Sequence, residues 1–272
     1  MIFVDKYTKL KNVTKVVNEK CPSFSGIVNQ ECKGNLWVND IDTPTIAIVQ
    51  SYAVGGFAFL GTYISDKDFL NLKAFLETEL FIQLKQNGND SFEFSIDSET
   101  IRENILEMFK ERLIQTEREF SFRFYATPVW NKVIPKEYQI FKVDSEFWKR
   151  LSEGEFENVD FLKNRLLESW GCFEEFQNKS IAYSAVLNNR IVAVIVGTAS
   201  FNNVITIDIE TEEKHRRKGL AYALAVEFIE GCLRKNYIPQ WDCVESNPYS
   251  YNMAIKLGFD KYNENTVYWF DI

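Results

Sequence analysis

The stretch ITIDIETEEKHRRKGLAYAL (205–224) decides the fold. Ile205, Ile207 and Ile209 alternate with Thr206, Asp208 and Glu210, which is the period of a strand with one apolar face. Beyond Gly219 the period changes. Leu220, Leu224, Phe228, Ile229 and Cys232-Leu233 recur at helical spacing, so a helix is expected from about Lys218 to Lys235. Between strand and helix lie four cations in five residues, Lys214, Arg216, Arg217 and Lys218, directly after the carboxylates Asp208, Glu210, Glu212 and Glu213. Cations at a helix start oppose its dipole, so an anionic partner accounts for them better than a solvated surface does. A helix N-terminus offers unpaired N–H groups, and Gly219 and Ala221 let a ligand approach the backbone. The turn therefore reads as a site for a pyrophosphate. The spacings GxxxxGK[ST] and GxGxxG are absent, which disfavours nucleoside triphosphates and dinucleotides.

Working outward, SIAYSAVLNNRIVAVIVGTASFNNVITIDIE (180–210) reads as three antiparallel strands, with turns at Asn188-Asn189 and Phe201-Asn202-Asn203. IPQWDCV (238–244) is a strand, YSYNMAIKLG (249–258) a helix and VYWFDI (267–272) a last strand. Upstream, YQIFKV (138–143) reads as a strand and FLKNRLLESWG (161–171) as a helix. In the first half NLWV (35–38), TIAIVQSYA (45–53), FAFLGTY (57–63), FEFSI (92–96) and FSFRFYA (120–126) have strand composition. Helices are expected over 66–87 and from Asp97 or Ser98 to about Gln115. Pro128 and Pro135 mark a boundary near 126–138. The expected domains are 1–130, α/β and without the basic loop, and 131–272. The fold class is α/β with a mixed, mostly antiparallel sheet flanked by helices. Both halves run antiparallel strands, long helix, strand, helix, strand, an order that leaves a degenerate repeat open without residue identity to support it.

Composition removes several classes. The 272 residues are 46% apolar, enough for a sizeable core. The net charge of −8 is the wrong sign for a general nucleic-acid binder. Five cysteines with no CxxC pair and a single histidine, His215, give no metal set of the usual type, so no metal is expected. The thiols read as reduced and the protein as cytoplasmic. The first residues lack a signal peptide's apolar core, and Ile191–Val196 is too short to cross a bilayer. Cys243 reads as a buried structural thiol and His215 as a surface turn residue.

Arg216-x-x-Gly219-x-Ala221 between a strand and a long helix resembles the acetyl-CoA pyrophosphate loop of the GNAT acetyltransferases. Asn247-Pro-Tyr-Ser250, followed by Ala254-Ile-Lys-Leu257-Gly258-Phe259, is similar to the family's second signature. Cys232-Leu233, Pro239 and Trp241-Asp242-Cys243, with the extra N-terminal domain, resemble the bacterial subgroup that includes the zwittermicin A resistance acetyltransferase. The resemblance implies a GNAT fold, acetyl-CoA as cosubstrate and direct transfer of the acetyl group to a primary amine on a small molecule. It implies that amides of Arg217, Lys218, Gly219, Leu220 and Ala221 hold the pyrophosphate, with Arg216 beside them. Main-chain groups of Ile209 to Thr211 would pair with the pantetheine arm where strand 204–211 splays from 238–244. Asn247 and Ser250 would contact the arm near the thioester.

Amine attack requires a base and an oxyanion donor. Glu210 is the favoured base, with Asp208 second. The position of the family's usual tyrosine acid is Ala254, leaving Tyr249, Tyr251, Ser250 or water. Trp241 and Tyr251 are core residues or cleft walls. Two other readings stay open: an acyl-CoA-sensing module without catalysis, and a protein or peptide N-acetyltransferase. No nucleic-acid or membrane partner is expected, and the oligomer is left between monomer and homodimer.

Overall fold

The computed structural model describes all residues except 6, 126–129 and 131–133. It divides into two compact units, Met1–Glu119 with Val244–Ser246 and Asn263–Ile272, and Phe120–Cys243 with Asn247–Tyr262. Most of the expected boundary segment, 126–138, lies outside the described residues.

In the first unit, β1 (Ile2–Phe3), β2 (Gly34–Val38), β3 (Ile46–Ser51) and β4 (Phe57–Gly61) pair antiparallel in chain order. β5 (Ser91–Ile96) then pairs parallel to β4. Helix α1 (Pro22–Val28) packs with one face of this sheet. On the other face lie α2 (Asp66–Phe75), a π turn (Leu76–Leu80), α3 (Phe81–Gln86) and α4 (Glu99–Met108), around an aromatic cluster that includes Phe59, Phe92, Phe94 and Phe109. The expected helix 98–115 thus ends at Met108. Gln115 already opens β6 (Gln115–Arg123), whose residues extend toward the aromatic run.

In the second unit β7 (Gln139–Lys142), β8 (Ala182–Leu187), β9 (Arg190–Phe201) and β10 (Val204–Thr211) form an antiparallel meander. Asn188-Asn189 and Asn202-Asn203 all have positive φ, as two-residue hairpin turns require. Helices α5 (Ser145–Ser152), α6 (Asp160–Trp170) and α7 (Phe173–Lys179) separate β7 from β8. Of these only α6 is expected from the sequence. The other two are too short to build a periodic signal. Trp170 anchors α6 on the sheet by donating to the Gly197 carbonyl at 2.8 Å. Helix α8 (Leu220–Arg234) crosses over to β11 (Ile238–Val244), which is parallel to β10. Then come α9 (Pro248–Leu257) and β12 (Asp260–Asp271), twice as long as the expected VYWFDI.

The last strands are exchanged between the halves. Phe120–Arg123 of β6 belongs to the second unit, where β6 neighbours β11. Val267–Asp271 of β12 pairs antiparallel with Ser91–Ser95 in the first unit. Each unit therefore has antiparallel strands, a helical crossover, a parallel strand, a helix and a borrowed strand, a mixed and mostly antiparallel sheet flanked by helices. Among the described residues no helix is long and apolar enough to cross a membrane.

Candidate active site

Strands β10 and β11 pair only at Val204–Ile238, Ile205–Pro239 and Thr206–Gln240. At the same level the β9–β10 register slips between Thr206 and Ile207. The extra residue is Thr198, so the bulge belongs to β9, the neighbour of β10 on its other side. Beyond Thr206 the edges of β10 and β11 are no longer paired. A cleft of about 550 Å³ follows, lined among others by Ile209, Glu210, Thr211, Trp241, Asn247 and Ser250, and by the turn residues Arg216, Arg217 and Gly219 to Tyr222.

The turn is built to present N–H groups. Arg217 has φ 62 and Gly219 φ 80, both left-handed, on either side of Lys218. Glycine adopts that conformation without a Cβ penalty, whereas Arg217 carries one. Alternating backbone signs turn successive N–H groups toward one concavity. Gly219 caps α8 with no side chain, and no acidic residue occupies the first turn. Among the described residues the N–H groups of Arg217 to Ala221 make no backbone hydrogen bond. The corresponding helix of the first unit is closed. Ser65 Oγ accepts the Asp68 N–H at 3.1 Å, and Asp66 and Asp68 sit in the first turn of α2. There the dipole is already matched by carboxylates.

The cations are deployed differently from one another. Arg216 Nε donates to the Thr211 carbonyl at 3.1 Å, closing the turn. Lys218 Nζ donates to the Tyr138 hydroxyl at 3.0 Å, and Lys218 is absent from the cleft wall. The Tyr138 hydroxyl also lies 3.0 Å from His215 Nδ1. An ammonium can only donate, so the tyrosine oxygen accepts from Lys218 and links it to the His215 ring. His215 is therefore a half-buried brace and not the surface residue expected, its side chain only 16% exposed. Glu212 completes the brace. It accepts from Arg190 at 2.6 and 3.1 Å and from Asn158 Nδ2 at 3.2 Å. The hydrogen bond from Arg190 holds the Glu212 carboxyl below the usual glutamate range. Arg217 is the turn cation that lines the cleft without a side-chain bond among the described residues.

Asp208 and Glu210 lie on the sheet face opposite Ile207 and Ile209, which pack against the core beneath α8. Both carboxylates are tied to Arg165 of α6, Asp208 at 2.8 Å from Nε and Glu210 by a short contact with Nη2. Glu210 also reaches the cleft wall; Asp208 does not. No local pattern pointed to Arg165, because an α6 residue meets β10 only through tertiary packing. Leu220 is buried in the core, so only its N–H can serve a ligand. Asn247 caps α9 by accepting the Ser250 N–H at 3.1 Å, and the Ser250 hydroxyl accepts the Trp241 indole N–H at 2.8 Å. Tyr249 is open at the cleft, while Tyr251 packs edge-on against Phe120 and Phe122 and is no part of the wall. Ala254 and Cys243 are buried.

Residues 15–268 fit the family model for GNAT acetyltransferase. The chain belongs to this family. It is an acyltransferase, and the family's chemistry is acetyl transfer. The uncharacterized N-acetyltransferase YdfB of Bacillus subtilis strain 168 is 27% identical over 271 residues, covering 97% of this chain and 95% of that protein. Among solved structures, a GCN5-related N-acetyltransferase-like protein from Streptococcus suis aligns with TM-score 0.58 at 18% identity, covering 87% of this chain and 88% of the other. A GCN5-related N-acetyltransferase from Sphaerobacter thermophilus gives 0.57 at 12%, covering 88% and 80%. A tandem GNAT protein from the clavulanic acid biosynthesis pathway gives 0.54 at 10%, covering 91% and 86%, and its tandem character agrees with two units of like strand order. At these identities the structural likeness concerns the fold.

Proposed function

We propose that the protein transfers the acetyl group of acetyl-CoA directly to a primary amine of a small molecule. One observation carries this: the second unit alone joins a splayed strand pair to an uncapped, doubly left-handed turn at a helix N-terminus. The residues present suit the cosubstrate. The N–H groups of Arg217 to Ala221 would hold its pyrophosphate, with the Arg217 guanidinium adding charge. The exposed edge of β10 from Ile207 to Thr211 offers main-chain groups for an extended amide-bearing arm, as an added strand does. The Thr211 hydroxyl is buried without a partner. A buried hydroxyl left unbonded is costly, and a rotation of the side chain toward the cleft would give it a partner on that arm. Acetyl-CoA supplies an activated carbonyl.

The chain's own groups do the rest. A main-chain N–H of β10 beside the register slip at Thr206–Ile207 would stabilise developing oxyanion charge. Tyr249 and Ser250 stand at the cleft in place of the missing tyrosine at Ala254. Membership in the subgroup of the zwittermicin A resistance acetyltransferase, and with it a role in antibiotic resistance, belongs to this proposal. It rests on Trp241-Asp242-Cys243 and the N-terminal unit. The acceptor is tested by following thiol release from acetyl-CoA with small primary amines, a lysine-containing peptide and water alone. Release with small amines beyond the water rate supports the reading. Release with the peptide alone would move the acceptor to proteins, and binding of acetyl-CoA with no release would favour the sensing module.

A further inference from the structure

Beside the strand gap, and like Asp208 just outside the residues that line the cleft, stands a carboxylate that the reading above leaves unused, Asp242. Thr206 and Gln240 are the last residues paired between β10 and β11. Trp241 and Cys243 face the core under α8, so Gln240 and Asp242 face the opposite side. Thr206, Asp208 and Glu210 share that side. Asp208 and Asp242 are thus equivalent, each two residues past the last pair on its strand. An arm laid along β10 from Thr211 to Ile207 covers four residues, about 13 Å at the strand rise. Its reactive end then lies at the level of the bulge, between these two carboxylates.

Their environments differ. Asp208 and Glu210 share the guanidinium of Arg165, so their charges are spoken for. Asp242 is held by neutral donors: Gln240 Nε2 bonds both its oxygens at 3.0 and 3.2 Å, and the Ser121 hydroxyl bonds it as well. Gln240, itself 1% exposed, is oriented by Arg123, whose Nε donates to Oε1 at 2.9 Å. Arg123 is in turn fixed with its guanidinium carbon 3.7 Å from the centroid of the Tyr262 ring. Asp242 keeps part of its surface open. We propose that Asp242, positioned by Ser121, Gln240 and Arg123, receives the acceptor's ammonium group and accepts its proton. This rests on the acetyl-CoA reading and sets Asp242 as an alternative to the expected bases, Glu210 then Asp208.

Burial raises the Asp242 carboxyl above the ordinary aspartate value, against the lowering by Ser121, Gln240 and the charge of Arg123. A raised carboxyl is the better match for an ammonium near pKa 10. The alkylammonium gives one proton to the carboxylate. Its lone pair forms the C–N bond to the acetyl carbon, the C–S bond breaks, and the electron pair leaves on sulfur. The second proton of the nitrogen neutralises the thiolate, and Asp242 returns its proton to solvent.

The test uses the full chain with propylamine as probe acceptor, acetyl-CoA binding by calorimetry and thiol release between about pH 6 and 9. Asp242→Asn should bind acetyl-CoA like the wild type, while propylamine-dependent release falls about 100-fold or more; Asp242→Glu should recover part of it. Ser121→Ala removes a donor that lowers the carboxyl, so the rising limb of its pH–rate profile should shift to higher pH with acetyl-CoA binding unchanged. That shift is a readout a merely structural role would not move, and it stands even if Asp242→Asn folds poorly. An Asp242→Asn rate within about threefold of wild type with an unmoved Ser121→Ala profile overturns the proposal. So does a wild type that binds acetyl-CoA and ignores propylamine. Failure of the wild type to bind acetyl-CoA is a different result and removes the underlying reading.

Discussion

Thr211 shows how a single atom separates folding from binding. Its hydroxyl is buried and unbonded, in a residue that lines the cleft. If a ligand group is its partner, the free protein bears the cost. Thr211→Val keeps the shape and removes the orphan. The melting temperature should rise, by an amount corresponding to about 1 kcal/mol, while acetyl-CoA affinity drops. A variant with lower stability and unchanged affinity would show that the hydroxyl serves the fold. At this scale the sequence was partly legible. Gly219 and Ala221 announced themselves by type and spacing, because backbone conformation is local, whereas Asn247 and Ser250 came only from the family resemblance. The partners of Arg216, Lys218 and Asp208 were not legible. Tyr138 and Arg165 come from distant segments, and no spacing rule connects them to the turn. Asp242 lies within Trp241-Asp242-Cys243, yet its burial appears only once β6 and β11 are neighbours.

The element that matters is the turn from Glu212 to Gly219, and its brace can be released by acid. Arg190 lowers the Glu212 carboxyl, so in the folded state it stays charged to lower pH than in the unfolded chain. The stability it contributes is complete above the ordinary glutamate value of about 4.3 and is lost as pH falls through the lower folded value. Wild-type melting temperature should decline across that acid window, and the decline should be smaller in Glu212→Gln, which starts less stable at neutral pH. Equal declines would detach this ion pair from the turn. Helices α2 and α8 show why one element is open to an anion and its counterpart is not: Ser65, Asp66 and Asp68 occupy the first turn of α2, whereas α8 begins at an αL glycine. Strong local chemistry made both hairpins readable from their Asn-Asn pairs. The end of α4 was misread. Its apolar period continues through Phe109 and Ile114, but the chain turns at Lys110 and enters β6.

For the whole molecule, the exchange of last strands makes the first unit depend on the final residues of the chain. Tyr268 stacks on Phe94 at 5.3 Å, and Phe270 lies 4.9 Å from Phe109. Losing one buried aromatic side chain typically costs about 3–5 kcal/mol, against a total stability of about 5–15 kcal/mol. Deleting Asn263–Ile272 should therefore abolish the cooperative thermal transition of the first unit and expose it to proteolysis; a truncated chain melting like the full one would deny the strand that role. The fold class was readable because meander, crossover helix and parallel strand follow local periods. The exchange was not, since the pairing of β12 with β5 is a choice among edges that sequence pattern does not rank. The proposed activity depends first on the turn at Gly219 binding the phosphates of acetyl-CoA. Calorimetric titration of acetyl-CoA into the wild type and into Gly219→Glu tests it most directly. Saturable binding to the wild type that disappears in Gly219→Glu, with the melting temperature largely kept, is the result expected. Equal binding by both proteins, or none by the wild type, would contradict it.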